Sequence, residues 1–304
     1  MLTVSGSIFA DVVAPFIPSS WELVPVSTFG TSSVNAIVSD NFDNFVAVGN
    51  DGKIGRSVGG FTWNQSTSPF DESNLYAVAY GNNLYVAAGS SGKMAISSNM
   101  QDWTLVPSSF GASPILALTY SSSLSLWVAA GGSGKLATSS NGVDWTQRAS
   151  SFSTSFINGL YATSSEIIAV GFDGKLATST TGFLWTQRSS SFGTTQINAV
   201  SANPSRSLYI AAGATGKIAY SFNATTWTQV FPTSSFGTSN IKATGQSDDI
   251  AVAAGSLGKL GTSIDGLVWF QRTSQFGLDS INSLYIDNSF SLAVGDNGKI
   301  AYSI

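Results

Sequence analysis

Neither cysteine nor histidine occurs among the 304 residues. Without cysteine there can be no disulfide and no thiolate metal site, and the redox compartment leaves no trace. Charge is scarce too, at 10% of residues, so a polar surface must be built largely from Ser, Thr and Asn. With 31 glycines, that profile suits short strands joined by tight turns and argues against long helices. The net charge of −4 leaves no general basic footprint for duplex nucleic acid. No apolar run reaches the roughly 18 residues of a membrane span. Met1–Ile17 lacks a basic start and carries Asp11 within its apolar run, which argues against a secretory leader.

What the chain has in abundance is one phrase. Gly131–Arg148 reads GGSGKLATSSNGVDWTQR, and its Gly-Lys pair recurs with Lys53, Lys93, Lys135, Lys175, Lys217, Lys259 and Lys299. The steps between these lysines are 40, 42, 40, 42, 42 and 40 residues. Ten residues after each of the first six stands a tryptophan: Trp63, Trp103, Trp145, Trp185, Trp227 and Trp269. A period this regular means an array of like supersecondary units. The seventh unit has no tryptophan after Lys299, but Trp21 lies 42 residues before Trp63. The N-terminal segment Trp21–Val24 is therefore expected to supply the last strand of the seventh unit and close a ring.

The expected fold is all-β: a seven-bladed β-propeller of four-stranded antiparallel blades over residues 21–304, preceded by an arm over 1–20. In the third complete unit the strands fall at Ile115–Tyr120, Leu126–Ala130, Lys135–Ser139 and Trp145–Arg148. Unbroken apolar runs in the first two fit sheets covered on both faces. Phe29, Phe70, Phe110, Phe152, Phe192, Phe236 and Phe276 mark the crossings from one blade to the next. These repeated aromatics are expected to pack between blades. Residues Ile8, Phe9, Val12, Val13, Phe16 and Ile17 make the arm too apolar for a free tail. They mark it as a candidate attachment segment that adds along a sheet edge.

The turn before each tryptophan carries a resemblance. Ser263-Ile264-Asp265-Gly266-Leu267-Val268-Trp269 resembles the Asp-box of sialidase-type propellers, one residue short, and Ser139–Trp145 is similar with Asn141 for the aspartate. In that superfamily the motif is a fold element, with the physical logic of an Asx-turn. A sialidase-like site would need three converging arginines. Arg148, Arg188 and Arg272 instead share an outer-strand position on three different blades, Arg56 lies on a third strand and Arg206 in a loop. Glycoside hydrolysis would need paired acids about 5–10 Å apart, and the inner strands carry none. No catalytic, cofactor or metal site is expected, and the chain is read as no enzyme. The Gly-Lys turn fails the phosphate-loop pattern because strands flank it and Leu136 follows Lys135. The seven lysines should still form a ring, which either binds turn carbonyls or offers a rim for anions or partners.

Propellers host unrelated functions. Low charge, absent Cys and His, abundant Ser, Thr and Gly, and a detached apolar arm resemble propeller proteins of bacteriophage virions. That resemblance implies a structural or adhesion role in a tail or surface component, with virion or assembly proteins, or a host surface, as partners. The alternatives are a glycan-binding lectin propeller and a protein-binding propeller resembling photosystem II assembly factors, which share the Gly-x-x-Gly-Lys and Asp-box unit.

Overall fold

Runs such as Leu126–Gly131 (LWVAAG) and Leu208–Gly213 (LYIAAG) are apolar from end to end. Such a strand needs protein over both faces of its sheet. The computed structural model, which describes Pro18 and residues 20–230 and 235–304, meets that need with seven four-stranded antiparallel sheets stacked around an axis. The inner strands are Val34–Ser39, Leu75–Gly81, Ile115–Ser121, Ile157–Ala162, Ile197–Asn203, Ile241–Gln246 and Ile281–Ile286, and they number blades 1 to 7. Each blade is a simple meander from inner to outer strand, so the turns fall on two faces. The crossing face carries the connections between blades and the turns between second and third strands. The hairpin face carries the turns between inner and second strands, and those before each outer strand.

Blade 7 is composite. Ile281–Ile286, Ser291–Gly295 and Ile300–Ser303 come from the C-terminal end, and Glu22–Leu23 completes the sheet from the other end of the chain. Glu22 lies opposite Tyr302 and Leu23 opposite Ala301. The Val24 N–H extends the ladder to the Ile300 carbonyl at 2.8 Å, and the Tyr302 hydroxyl donates to Glu22 Oε2 at 2.6 Å. The ring is thus closed by its two terminal segments. The expected strand Trp21–Val24 narrows to two paired residues, with Trp21 and Val24 buried on either side.

There is no single core but a series of seams between blades. One joins Leu126, Val128 and Ala130 of blade 3 to Ile167, Ala169 and Ala177 of blade 4. The closing seam joins Leu292, Val294 and Ile300 of blade 7 to Val34, Phe45 and Ala47 of blade 1. A crossing phenylalanine sits in every seam; all seven are essentially inaccessible, each contributing about 1.5–3 kcal/mol by burial. Trp145 and Trp185 are only half-buried, whereas Trp21, Trp63, Trp103, Trp227 and Trp269 are buried. Trp127, outside the repeat position, is fully buried against Tyr120 at a ring separation of 4.9 Å. Among the described residues no helix is long and apolar enough to cross a membrane.

Candidate functional site

The Gly-Lys turns stitch the crossing face together. In blade 3 the turn is Gly132–Gly134, in which Ser133 (φ 57°) and Gly134 (φ 64°) are both left-handed. The second position must be glycine for a further reason: a Cβ on Gly134 would stand 1.9 Å from the Ser153 carbonyl oxygen in the crossing to blade 4. The Gly134 carbonyl accepts from Ser150 Oγ of that same crossing. Lys135 reaches the other way, donating to the carbonyl of Phe110 at 2.6 Å in the crossing that enters its own blade. Every turn lysine does the same: Lys53 to Phe29 (2.8 Å), Lys93 to Phe70 (3.4 Å), Lys175 to Phe152 (2.8 Å), Lys217 to Phe192 (3.2 Å), Lys259 to Phe236 (2.8 Å) and Lys299 to Phe276 (2.9 Å). Lys93 and Lys299 also pair with Asp71 and Asp279 at 3.5 and 2.8 Å. The lysines form a ring in which each holds the crossing into its own blade, while the glycine before it seats the next.

Inside that ring lies a channel mouth that the sequence reading missed. Every inner strand carries a register shift at its second residue: Asn35, Tyr76, Leu116, Asn158, Asn198, Lys242 and Asn282. A bulge re-aims its side chain, and these seven line a central cavity of about 390 Å³. The asparagines bridge to the next blade: Asn35 Nδ2 to Leu75 O (2.7 Å), Asn158 to Ile197 O (2.9 Å), Asn198 to Ile241 O (2.7 Å) and Asn282 to Val34 O (3.1 Å). Lys242 Nζ donates to Asn282 Oδ1 at 2.9 Å. Burial pushes the Asp296 carboxyl up, but hydrogen bonds from Asn282 and Ser33 and the Lys242 charge hold it below its ordinary range. The available signal was the recurrent Asn after the first apolar residue of an inner strand.

On the hairpin face, the turns before the tryptophans are closed by side chains. Asp265 Oδ1 accepts from the N–H groups of Leu267 (2.8 Å) and Val268 (3.0 Å), Ser263 Oγ from Gly266 N–H (2.8 Å), and Trp269 Nε1 donates to Gly266 O (3.1 Å). Asn99, Asn141 and Asn223 take the Asp265 role, and Thr181 does so at 3.2–3.3 Å. Burial raises the Asp265 carboxyl, and those N–H groups bring it below its ordinary value. The buried Nε1 of Trp21 has no partner among the described residues. Arg148, Arg188 and Arg272 each donate through Nε to a threonine of the neighbouring strand, Thr138, Thr178 and Thr262, at 2.9–3.0 Å. They remain on separate blades. Ile8, Phe9, Val12, Val13, Phe16 and Ile17 lie outside the described residues.

The fold also sorts charge. The crossing face holds the seven turn lysines with Lys242, against Asp51, Asp71, Glu72, Asp173, Asp279 and Asp296. The hairpin face holds Glu22, Asp40, Asp43, Asp102, Asp144, Glu166, Asp248, Asp249, Asp265 and Asp287, against Arg206 in its turns and, reaching over from the outer strands, Arg148, whose guanidinium lies 4.6 Å from the Phe183 ring of a hairpin-face turn, and Arg188, whose charge acts on Glu166. A net charge of −4 conceals two faces of opposite sign. The hairpin face also exposes Phe42, Val58, Leu184, Phe222, Ile264 and Val268.

No family model and no curated protein sequence matches the chain. Among solved structures it is similar to YCF48 from Cyanidioschyzon merolae, with a TM-score of 0.73 and 17% identity, over 94% of this chain and 98% of that one. It is similar to YCF48 bound to D1 peptide, with a TM-score of 0.75 and 16% identity, over 95% and 96%. It is also similar to virginiamycin B lyase from Staphylococcus aureus, with a TM-score of 0.81 and 8% identity, over 94% and 100%. One of these neighbours is named as an enzyme and one is solved with a peptide. At such identities the comparisons show the seven-bladed propeller and leave the chemistry to the residues of this chain.

Proposed function

We propose that the chain is a non-catalytic, partner-binding propeller of structural or adhesive character, a tail or surface component of a bacteriophage virion. The observation that carries the reading is where the apolar exposure lies. The repeated lysines, arginines and most of the tryptophans are bonded within the ring itself, while large apolar side chains stand in water: Val26, Leu257 and Leu278 on the crossing face and, in greater number, Phe42, Val58, Leu184, Phe222, Ile264 and Val268 on the hairpin face. Apolar groups weighted towards one face favour a protein contact there over a solvated surface. The turn chemistry at Ser263–Trp269 supports membership of the Asp-box superfamily. On this reading residues 21–304 are the ring and residues 1–20 the attachment arm, whose Ile8, Phe9, Val12, Val13, Phe16 and Ile17 seek cover on another subunit. Deleting residues 1–16 is expected to leave melting nearly unchanged and to abolish incorporation into particles, assayed by mass spectrometry of purified virions. Incorporation of the shortened chain would overturn the role of the arm.

A second reading is favoured by one comparison. YCF48 is solved with a D1 peptide bound, which supports a peptide-binding role for this ring in assembly rather than in a particle. Absence of the chain from purified particles, with a defined partner cross-linked in cells, would favour that reading.

A further inference from the structure

Three blades break the asparagine pattern at the channel mouth on the crossing face. Blades 1, 4, 5 and 7 carry asparagine at the bulge, but blades 2 and 3 carry Tyr76 and Leu116, and blade 6 carries Lys242. All seven residues are partly exposed and line the cavity of about 390 Å³. That volume lies within the roughly 300–1,000 Å³ typical of ligand sites. Inner strands neighbour one another in chain order around the ring, so blade 6 stands across the axis from blades 2 and 3. One wall of the mouth is therefore aromatic and aliphatic, and the wall facing it holds an ammonium group.

Hydrogen bonding sorts the asparagines in the same way. A carboxamide has two N–H groups to give. Asn35 spends both, on Asn50 Oδ1 (2.9 Å) and Leu75 O (2.7 Å), and Asn282 spends both, on Val34 O (3.1 Å) and Asp296 Oδ1 (2.9 Å). Asn158 and Asn198 each spend one, on the carbonyls of Ile197 and Ile241, and among the described residues keep the other. Lys242 gives one of its N–H groups to Asn282 Oδ1 (2.9 Å), and an ammonium has three. Among the described residues it makes no ion pair. Asp296 feels its charge, but Asp296 Oδ1 is already held by Asn282 and Ser33. The unspent donors thus fall on three consecutive blades, 4, 5 and 6, and one of them is charged. Because Asp296 offsets part of that charge, the mouth suits a monoanion rather than a polyphosphate.

We propose that the channel mouth binds a carboxylate carrying an apolar or aromatic body. The carboxylate accepts from Lys242 Nζ and from the spare amide N–H groups of Asn158 and Asn198, while the body packs against Tyr76 and Leu116. A free organic acid and the C-terminal residue of a polypeptide both offer this chemistry. The site stands apart from the partner-binding reading above: binding confined to the free acid keeps the site and takes the mouth out of protein recognition.

The test is a ligand-observed NMR titration of the full-length protein with 3-phenylpropanoate and with its neutral amide. The acid should bind with a Kd of about 1 mM, weaken with salt, and exceed the amide by roughly tenfold or more. Lys242→Asn installs the residue that four other blades use, so it should melt like the parent yet lose the acid's advantage over the amide. Leu116→Asn restores the same residue on the facing wall and should weaken the acid severalfold. Lys135→Met, in the lysine ring outside the channel, should leave binding unchanged. A peptide ending in phenylalanine, with a free or an amidated C-terminus, separates the two sources. Tighter binding of the free-ended peptide than of 3-phenylpropanoate assigns the site to a chain end, and binding of the acid alone assigns it to a small molecule. The proposal is overturned if acid and amide bind alike, if neither the acid nor the free-ended peptide binds, or if Lys242→Asn holds the acid as tightly as the parent.

Discussion

Replacing Gly298 by alanine tests how tightly the ring is closed. Gly298 lies in the last Gly-Lys turn with φ at 65°, and a Cβ there would stand 2.1 Å from the Gly30 carbonyl oxygen in the crossing that enters blade 1. Backbone, not a flexible side chain, is in the way, so the crossing must move. Its movement also strains the bond from Ser27 Oγ to the Gly298 carbonyl. The natural control is Gly193→Ala. That glycine has φ of 61° with nothing within 4 Å of its Cβ position, and Asp71 and Ser153 adopt the same conformation at equivalent places. The control should lose only the left-handed penalty of about 1–2 kcal/mol. Gly298→Ala should lose that, about 1–3 kcal/mol of overpacking and up to about 1 kcal/mol of hydrogen bonding. At about 2 °C per kcal/mol for a chain of this size, its melting temperature should fall roughly 2–8 °C further than the control's. Differential scanning calorimetry of both variants decides it. Equal melting temperatures would falsify the claim that the glycine is required by the crossing, leaving backbone conformation as its sole role.

Lys135→Met should lower stability by about 1 kcal/mol and no more, because the Phe110 carbonyl keeps its bond from the Ser113 N–H; a urea titration measures this. Trp227→Phe breaks the indole bond to Ala224 O, whereas Trp21→Phe breaks none among the described residues, so the former should lose about 1 kcal/mol more; equal losses would refute the assignment. Asp265 is held below its ordinary pKa in the fold, so its contribution is present above the unfolded value and is lost as pH falls through the folded one. Asp265→Asn keeps the acceptor and should flatten the acid limb of a stability–pH curve; an unchanged limb would count against the turn as its source. Deleting residues 1–25 removes the outer strand of blade 7 and should collapse the melting transition, in contrast to deletion of residues 1–16.

The sequence by itself determined the number of blades, their strand order and the closure, because the turn chemistry is local. A left-handed pair followed by lysine, and a side-chain acceptor four residues before a tryptophan, require particular residue types at fixed spacing, and each spacing repeats. It also placed the phenylalanine crossings and kept the arginines apart. What it left open needed residues distant along the chain to be brought together. That the second glycine of each turn is demanded by the next blade's crossing, as Gly134 is by Ser153, follows from a contact between blades. The bulges at Asn35, Asn158, Asn198 and Asn282 looked like ordinary strand positions, since a register shift leaves no mark in composition. The polarity between the two faces was invisible for a similar reason. Lysines and aspartates alternate along the chain within each repeat, and only the meander of the blades sends the turns that bear them to opposite ends of the strands. The cavity beside Lys242 depends on inner strands from all seven blades meeting at the axis, a condition that ring closure alone imposes.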